Sequence, residues 1–360
     1  NGTFGAPVTA ESGLTQVIDW VVTDLNADGR ADFALLSGSF FRTYLSTGGG
    51  DVGSITNSEN APGSVTWNHI DAGDVDGDGN IDIAFVASNA ANRVRLGNGA
   101  GNLATAATTS SATLLTSTVD FRLVDTSGNG RVDYFVTLDN FGQIRAQENT
   151  STMGSVSAGP NNTSASGATD RMNLAVGDIN GDGVTDLVSH SEDGDGLTVW
   201  YATPSNDTSD FFDTTSTYVV DEDTDRTRLG DANGDGRLDV FGMDGRAIII
   251  HSSLGNGVFT APEISYLSSN SSDDFTRALF DDLDGDGQVD AVAFVTESSF
   301  DFNSRAVRIS FGVLGRFGSA DGSITTDFET SGGNSILGGF EVGRDRSEEH
   351  TSELQSPVPI

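Results

Sequence analysis

Residues Asp74–Asp82 read Asp-Val-Asp-Gly-Asp-Gly-Asn-Ile-Asp, with carboxylates at positions one, three, five and nine and glycine at position six. The same phrase, Asp-x-Asx-x-Asp-Gly-x-x-Asp, returns as DLNADGRAD from Asp24, DINGDGVTD from Asp178, DANGDGRLD from Asp231 and DLDGDGQVD from Asp282. A degenerate copy, DTSGNGRVD, starts at Asp125. The start-to-start spacings are 50, 51, 53, 53 and 51 residues. One copy would mean little. Six at near-constant spacing define a repeat, and a period of up to about fifty residues belongs to solenoids, propellers and arrays.

The flanks repeat with the loops. A short apolar run begins around the last Asp of each: Phe33–Leu36, Ile83–Val86, Tyr134–Val136, Leu187–Val188, Val240–Phe241 and Ala291–Val295. These runs are short and β-rich, as buried strands are. A strand-like stretch precedes each loop, as in Val17–Val22 and Asn173–Val176. A third strand follows, as in Arg93–Leu96, Leu197–Tyr201, Ala247–His251 and Ala306–Phe311. Then comes a Gly-rich turn with an aromatic: GTFGAP from Gly2, LGNGVFTAP from Leu254 and GRFGSA from Gly315, with LGNGAGNL from Leu96 a weaker copy. That makes about four strands per unit and no helical period of useful length. The expected fold is all-β, a β-propeller of four-stranded blades. Six Asp loops are visible. Asn1–Ala10 has the look of an outer strand and Phe340–Asp345 that of a strand leading into a loop, so a seven-bladed ring with a truncated last blade is expected. A six-bladed ring is the alternative.

The loop chemistry suggests a cation. Alternate positions of a tight turn converge on one centre, and Gly79 permits the positive φ of a sharp reversal. Oxygen-only donors in a flexible arrangement suit Ca²⁺; Mg²⁺ demands a stricter octahedron, and zinc prefers His or Cys. Candidate ligands are Asp24, Asn26, Asp28, Arg30 and Asp32; Asp74, Asp76, Asp78, Asn80 and Asp82; and Asp125, Ser127, Asn129, Arg131 and Asp133. The later copies supply Asp178, Asn180, Asp182, Val184 and Asp186; Asp231, Asn233, Asp235, Arg237 and Asp239; and Asp282, Asp284, Asp286, Gln288 and Asp290. The seventh position (Arg30, Asn80, Arg131, Val184, Arg237, Gln288) varies freely, as expected if only its carbonyl coordinates. The competing reading is an Asx-turn without metal. It leaves unexplained why four carboxylates should converge, since each like-charge pair costs about 1 kcal/mol at 4 Å even in water. About five or six ions are expected. The Asp125 loop, with two carboxylates, is expected to be weakest, because ligand charge tunes affinity.

These loops resemble the FG-GAP/VCBS repeat family, which includes the integrin α-subunit propeller. The resemblance covers about 1–345, is close in every loop but that at Asp125, and keeps its Phe-Gly…Ala-Pro hallmark best at Phe4–Pro7. It implies calcium in loops on one rim of a propeller. It also implies adhesion, carbohydrate binding or protein binding by a secreted or cell-surface protein. No Arg-Gly-Asp sequence is present.

Composition sets further bounds. The 360 residues hold 53 acidic and 18 basic residues, for a net charge of −35, and every basic residue is Arg. Nucleic acid and anionic membranes are excluded as general partners, since phosphate binding needs a basic surface. With no Cys and no Lys, thiol and Schiff-base chemistry are absent. No apolar run approaches the roughly 18 residues of a membrane span. Of the acids, 19 lie in the loops, so part of the charge belongs to cation sites. The Asp-rich, lysine-free remainder resembles proteins adapted to high salt. His69, His190 and His251 are dispersed along strands, and Trp20, Trp67 and Trp200 are expected to pack between blades. The chain is therefore expected not to be an enzyme. A polysaccharide lyase or hydrolase would show a His clustered with Arg93, Arg122, Arg171, Arg226 or Arg228. A structural spacer in a large adhesin is the third reading.

Both ends have an unusual look. The chain opens on Asn1 and reads as an internal fragment. Arg346–Ser356, RSEEHTSELQS, resembles a translated sequencing adapter, so residues 1–345 are expected to form the propeller and 346–360 a non-native tail. Asn-x-Ser/Thr sequons and the acidic clusters Asp221–Asp225 and Glu192–Asp195 carry no specific expectation.

Overall fold

The structure is a computed structural model. It describes residues 17–326 apart from 38–39, 49–50, 61–66, 88–89, 105–106, 109–117, 140–142, 165–173, 191–195, 203–213, 219–226, 245–246, 267–273, 282–289, 297–304, 311, 314–315 and 318–321. The segments Asn1–Ala10 and Phe340–Asp345, the 346–360 tail and most of the sixth loop lie outside the described residues. Among the described residues there is no helix, and so none long and apolar enough to cross a membrane.

Six four-stranded antiparallel sheets follow one another along the chain. Sheet I holds β1 (Asp19–Thr23), β2 (Asp32–Ser37), β3 (Phe40–Gly48) and β4 (Asp51–Asn60). Sheet II holds β5 (Trp67–Gly73), β6 (Asp82–Ala87), β7 (Ala90–Arg95) and β8 (Ala107–Thr108). Sheet III holds β9 (Thr118–Val124), β10 (Tyr134–Asp139), β11 (Ile144–Asn149) and β12 (Ala158–Ser164). Sheet IV holds β13 (Ala175–Gly177), β14 (Asp186–His190), β15 (Leu197–Tyr201) and β16 (Thr214–Tyr218). Sheet V holds β17 (Arg228–Gly230), β18 (Asp239–Asp244) and β19 (Ala247–His251). The hairpin β20 (Ser253–Gly255) and β21 (Val258–Phe259) intervenes before its outer strand β22 (Glu263–Tyr266). Sheet VI repeats that plan with β23 (Asp274–Asp281), β24 (Asp290–Thr296), β25 (Arg305–Ser310), the hairpin β26 (Gly312–Val313) and β27 (Arg316–Phe317), and β28 (Gly322–Thr326). The Gly-rich phrase at Leu254 is thus a small hairpin inserted before the outer strand.

The apolar runs after the second to fifth loops are unbroken because their strands are covered on both faces, whereas Phe33 of β2 is exposed. In β6, Ile83 and Phe85 point to one side and pack with Ala34, Leu36, Phe41 and Trp67. Ala84 and Val86 point to the other and pack with Phe121 and Phe135 of sheet III. Strand residues alternate faces, so a strand covered on both sides needs apolar residues at every position. The same arrangement joins sheet III to sheet IV, through Val136 with Leu174, Leu187 and Trp200, and sheet IV to sheet V, through Val199 with Val240. First strands of successive sheets also touch: β1 with β5, β5 with β9, β13 with β17 and β17 with β23. Trp67 and Trp200 are fully buried in these joints, as expected. Trp20 is not; it is 39% exposed, on the face of sheet I turned away from sheet II.

Two of the dispersed histidines meet. His190 of β14 and His251 of β19 are buried with ring centroids 5.5 Å apart. Burial pushes His251 down to about 4, a contact with the Thr260 backbone working weakly the other way. A folded-state pKa below the unfolded value of about 6.5 favours folding while the ring is neutral. That contribution is complete above pH 6.5 and is lost as pH falls toward 4. Relative to His251→Phe, the wild type is expected to lose about 3 kcal/mol over this window, read from urea melts at each pH.

Candidate metal sites

Each described loop folds by satisfying its own amides with its own carboxylates. Position one accepts from the position-six glycine in all five described loops: Asp24 from Gly29 at 2.7 Å, Asp74 from Gly79 at 2.9 Å, Asp125 from Gly130 at 2.6 Å, Asp178 from Gly183 at 2.8 Å and Asp231 from Gly236 at 2.7 Å. These five glycines have φ of 79° to 85°. Position five accepts from the amide of position seven, as Asp28 does from Arg30 and Asp182 from Val184, both at 2.9 Å. In Asp24, desolvation raises the pKa, but the Gly29 and Asp28 amides outweigh it and hold the carboxyl below its ordinary range.

Position nine does something the spacing did not reveal. Asp82 accepts from Val75 N at 2.8 Å through Oδ2 and from Gly97 N at 2.7 Å through Oδ1. Asp32 brackets Leu25 and Ser46, Asp186 brackets Ile179 and Ala202, and Asp239 brackets Ala232 and Ser253 in the same way. The carboxylate thereby ties the start of the loop to the end of the third strand. All four are fully buried. Burial pushes Asp82 up to about 7 against the pull of the Gly97 and Val75 amides, Asp186 to about 6, and Asp239 upward too. A neighbouring cation would reverse that shift.

The loop at Asp74 brings its acids together. Carboxylate oxygens of Asp74, Asp76 and Asp78 lie within 4.8 Å of one another, the one such group of three among the described residues. Asp82 stands outside it. No basic side chain pairs with these three acids among the described residues. In the first and fifth loops, by contrast, Arg30 reaches Asp28 and Arg237 reaches Asp235. Three uncompensated carboxylates at that separation repel by several kcal/mol at an effective dielectric of about 20. Oxygen-only donors around such a charge fit Ca²⁺. Asn26, Asn180 and Asn233 occupy position three elsewhere, each accepting from the position-five amide. At Asp125 the loop is satisfied internally: Ser127 Oγ donates to Asp125, and Asp133 accepts from Thr126 and Ser127. Val184 is buried in the joint between sheets III and IV. Asp282, Asp284, Asp286 and Gln288 lie outside the described residues; Asp290 opens β24.

A second cluster lies at the opening end of the first strands, where no motif announced it. Asp19, His69, Asp71, Asp120 and Arg122 come from β1, β5 and β9. Asp19 accepts Ile70 N at 3.1 Å, Asp71 accepts Leu123 N at 2.8 Å and Asp120 accepts Leu174 N at 2.7 Å, each reaching across to the next repeat. His69 lies 3.8 Å from Asp19 and 3.9 Å from Asp120, and Arg122 pairs with Asp120 at 3.0 Å. Arg122 also donates to the carbonyls of Phe121 and Leu174. Burial pushes Asp71 up to about 6, Arg122 pulling against it. Arg93 pairs instead with Glu59 at 2.6 Å, and Arg228 donates to Thr227 O at 2.9 Å. Arg171 and Arg226 lie outside the described residues.

The sequence profile of the FG-GAP-like repeat matches residues 24–85, 125–189 and 231–293, more than half of the chain. The chain therefore belongs to the FG-GAP-like repeat family. Among solved structures, it is similar to an Agrocybe aegerita lectin that recognises non-reducing terminal N-acetylglucosamine. The TM-score is 0.61 at 18% identity, over 88% of this chain and 82% of the lectin. BBS1N, crystallised with ARL6DN, gives a TM-score of 0.52 at 12% identity, over 90% of this chain and 87% of its own. A chain of the Chaetomium thermophilum Polycomb Repressive Complex 2 gives 0.51 at 10% identity, over 86% and 73%. At these identities the likeness is one of fold, and it is propeller-like. No curated protein matches the chain in sequence at a significant level.

Proposed function

We propose that the chain is a calcium-binding propeller module of a secreted or cell-surface protein, that it mediates adhesion through a carbohydrate or protein ligand, and that calcium has a structural role. The observation that carries this is the uncompensated group Asp74, Asp76 and Asp78 inside a sixfold repeated loop. The module is not an enzyme on this reading, and it binds five or six Ca²⁺ with the Asp125 loop weakest. The fold likeness to a sugar-binding lectin supports a carbohydrate ligand. Titration calorimetry with Ca²⁺ tests the metal reading, and a glycan array probed with and without chelator tests the ligand. Absence of binding heat would overturn the first.

The ring closes, on this proposal, through a further sheet seated on sheet I. The faces equivalent to Val22 and Phe33 are Ala72 with Ile83 in sheet II and Leu229 with Val240 in sheet V, and each packs on the preceding sheet. In sheet I that face carries Trp20, Val22 and Phe33, all exposed. In sequence, Phe4-Gly-Ala-Pro7 repeats the phrase Phe259-Thr-Ala-Pro262 that comes just before β22, which supports a count of seven blades. Trp20→Ser is expected to cost about 2 kcal/mol or more if the face is covered. On a bare surface it would cost within about 0.5 kcal/mol.

A catalytic reading has one observation in its favour: His69 and Arg122 share Asp120. The engagement of Arg122 by two backbone carbonyls supports a joint between repeats instead. Release of unsaturated or reducing sugar ends from acidic polysaccharides, abolished by His69→Ala, would favour the enzyme.

A further inference from the structure

The loop at Asp74 differs from the other described loops in what lies over it. The turn Ser151–Ser157, between β11 and β12 of the next repeat, reaches onto this loop, and Gly154 N donates to Asp76 Oδ2 at 2.7 Å. Asn149 anchors the turn: its Nδ2 donates to Val75 O at 2.7 Å and Val132 O at 2.6 Å, while its Oδ1 accepts Ser151 N at 3.0 Å. Val132 N donates in turn to Asp74 O at 2.8 Å. Arg131, at the seventh position of the degenerate loop, turns away from its own loop and donates to Ser151 O. As a result Asp74 and Asp76 are buried, at 8% and 4% exposure. The first- and third-position residues of the other described loops are not buried, and Ser127 is exposed.

We propose that the Asp74 loop and the Ser151–Ser157 turn form one composite cation site, in which the third repeat serves as lid to the second. The proposal rests on the calcium reading above and adds a regulation to it: ion binding at this loop and docking of the turn stabilise each other. The Gly154 amide fixes Oδ2 of Asp76 while Oδ1 accepts Asp78 N at 3.2 Å, so the carboxylate is held beside those of Asp74 and Asp78 without a search through rotamers. Groups that orient a ligand in this way change metal affinity about 10–100-fold when removed. Covering the loop lowers the local dielectric, which strengthens both the attraction to a cation and the repulsion among the acids without one. The docked turn therefore favours the ion, and by linkage the ion favours the docked turn by the same factor. The third repeat's own loop, short of carboxylates, gives up little by lending Arg131 to this lid.

Hydrogen exchange read by mass spectrometry along a Ca²⁺ titration of the full chain tests this. Peptides spanning 149–158 and 74–82 are expected to gain protection at a common midpoint, below the midpoint for 178–186. In Asn149→Ala the 74–82 midpoint should rise about tenfold while that of 178–186 stays put. Exchange in 149–158 that ignores calcium while 74–82 responds would overturn the proposal, as would equal shifts at both loops in the variant. The wild-type comparison decides the matter even if Asn149→Ala does not fold. A chain in which no loop responds to calcium overturns the calcium reading and the lid with it.

Discussion

Excess EDTA is expected to lower the melting temperature of the calcium-loaded chain by roughly 15–20 °C. At about 2 mM free Ca²⁺ and a dissociation constant of about 10⁻⁴ M, each filled loop stabilises the folded chain by about 1.8 kcal/mol. Five loops carry three or more carboxylates, and together they amount to about 9 kcal/mol on that basis. A domain of this size shifts by about 2 °C per kcal/mol. The loops sit where this energy is felt throughout the fold. In the loops at Asp24, Asp74, Asp178 and Asp231, each set between the first and second strands of its sheet, the position-nine Asp ties the start of the loop to the end of the third strand. Magnesium in place of calcium should restore only part of the loss, because it keeps more of its own water. A melt indifferent to both chelator and calcium would remove the metal from the account of this fold.

The repeat, the loops and the strand order were legible because they are local and periodic. Six copies at nearly constant spacing align themselves, and the apolar runs opening at Asp82 or Asp186 mark strands covered on both faces. The parts that stayed hidden depend on contacts between repeats. His190 and His251 meet only because β14 and β19 lie in adjoining sheets, and nothing near either histidine signals the other. Asp19, Asp71 and Asp120 all cap an amide of the next repeat, yet they stand five, three and five residues ahead of their loops, which broke the alignment. The lid over Asp76 is a turn, Thr152–Ser155, with no motif at all. One missed feature did leave a signal. Gly73, Gly177 and Gly230 each directly precede a loop. A Cβ at Gly73 would meet Val132 at 2.7 Å, and one at Gly177 would meet Leu238 at 2.6 Å. The small residue ahead of one loop thus receives the eighth residue of the next, and the recurring glycine could have shown where successive loops touch.

Asp82→Ala and Asp78→Ala are expected to separate two roles that the motif spelling merges. Both positions are Asp in the same loop, so spacing alone treats them alike. Asp82 is fully buried and holds the amides of Val75, at the start of the loop, and Gly97, just past the third strand. Its removal orphans both amides at about 1–3 kcal/mol each, less what is recovered by no longer burying a carboxylate. The net loss should be about 3 kcal/mol, and it should appear in urea melts whether or not calcium is present. Asp78 is half-buried, and its backbone duty is one bond from Asn80 N at 2.8 Å. Without calcium its removal relieves repulsion with Asp74 and Asp76, so Asp78→Ala should cost under about 1 kcal/mol in EDTA. With calcium it should forfeit the contribution of that loop, about 2 kcal/mol. The Asp82 variant therefore shifts both melting curves, and the Asp78 variant shifts mainly the calcium-loaded one. If Asp82→Ala were silent in EDTA, position nine would be a ligand like the others and the bracket between loop and third strand would be incidental. If Asp78→Ala cost as much without calcium as with it, the convergence of these carboxylates would serve the turn and not an ion.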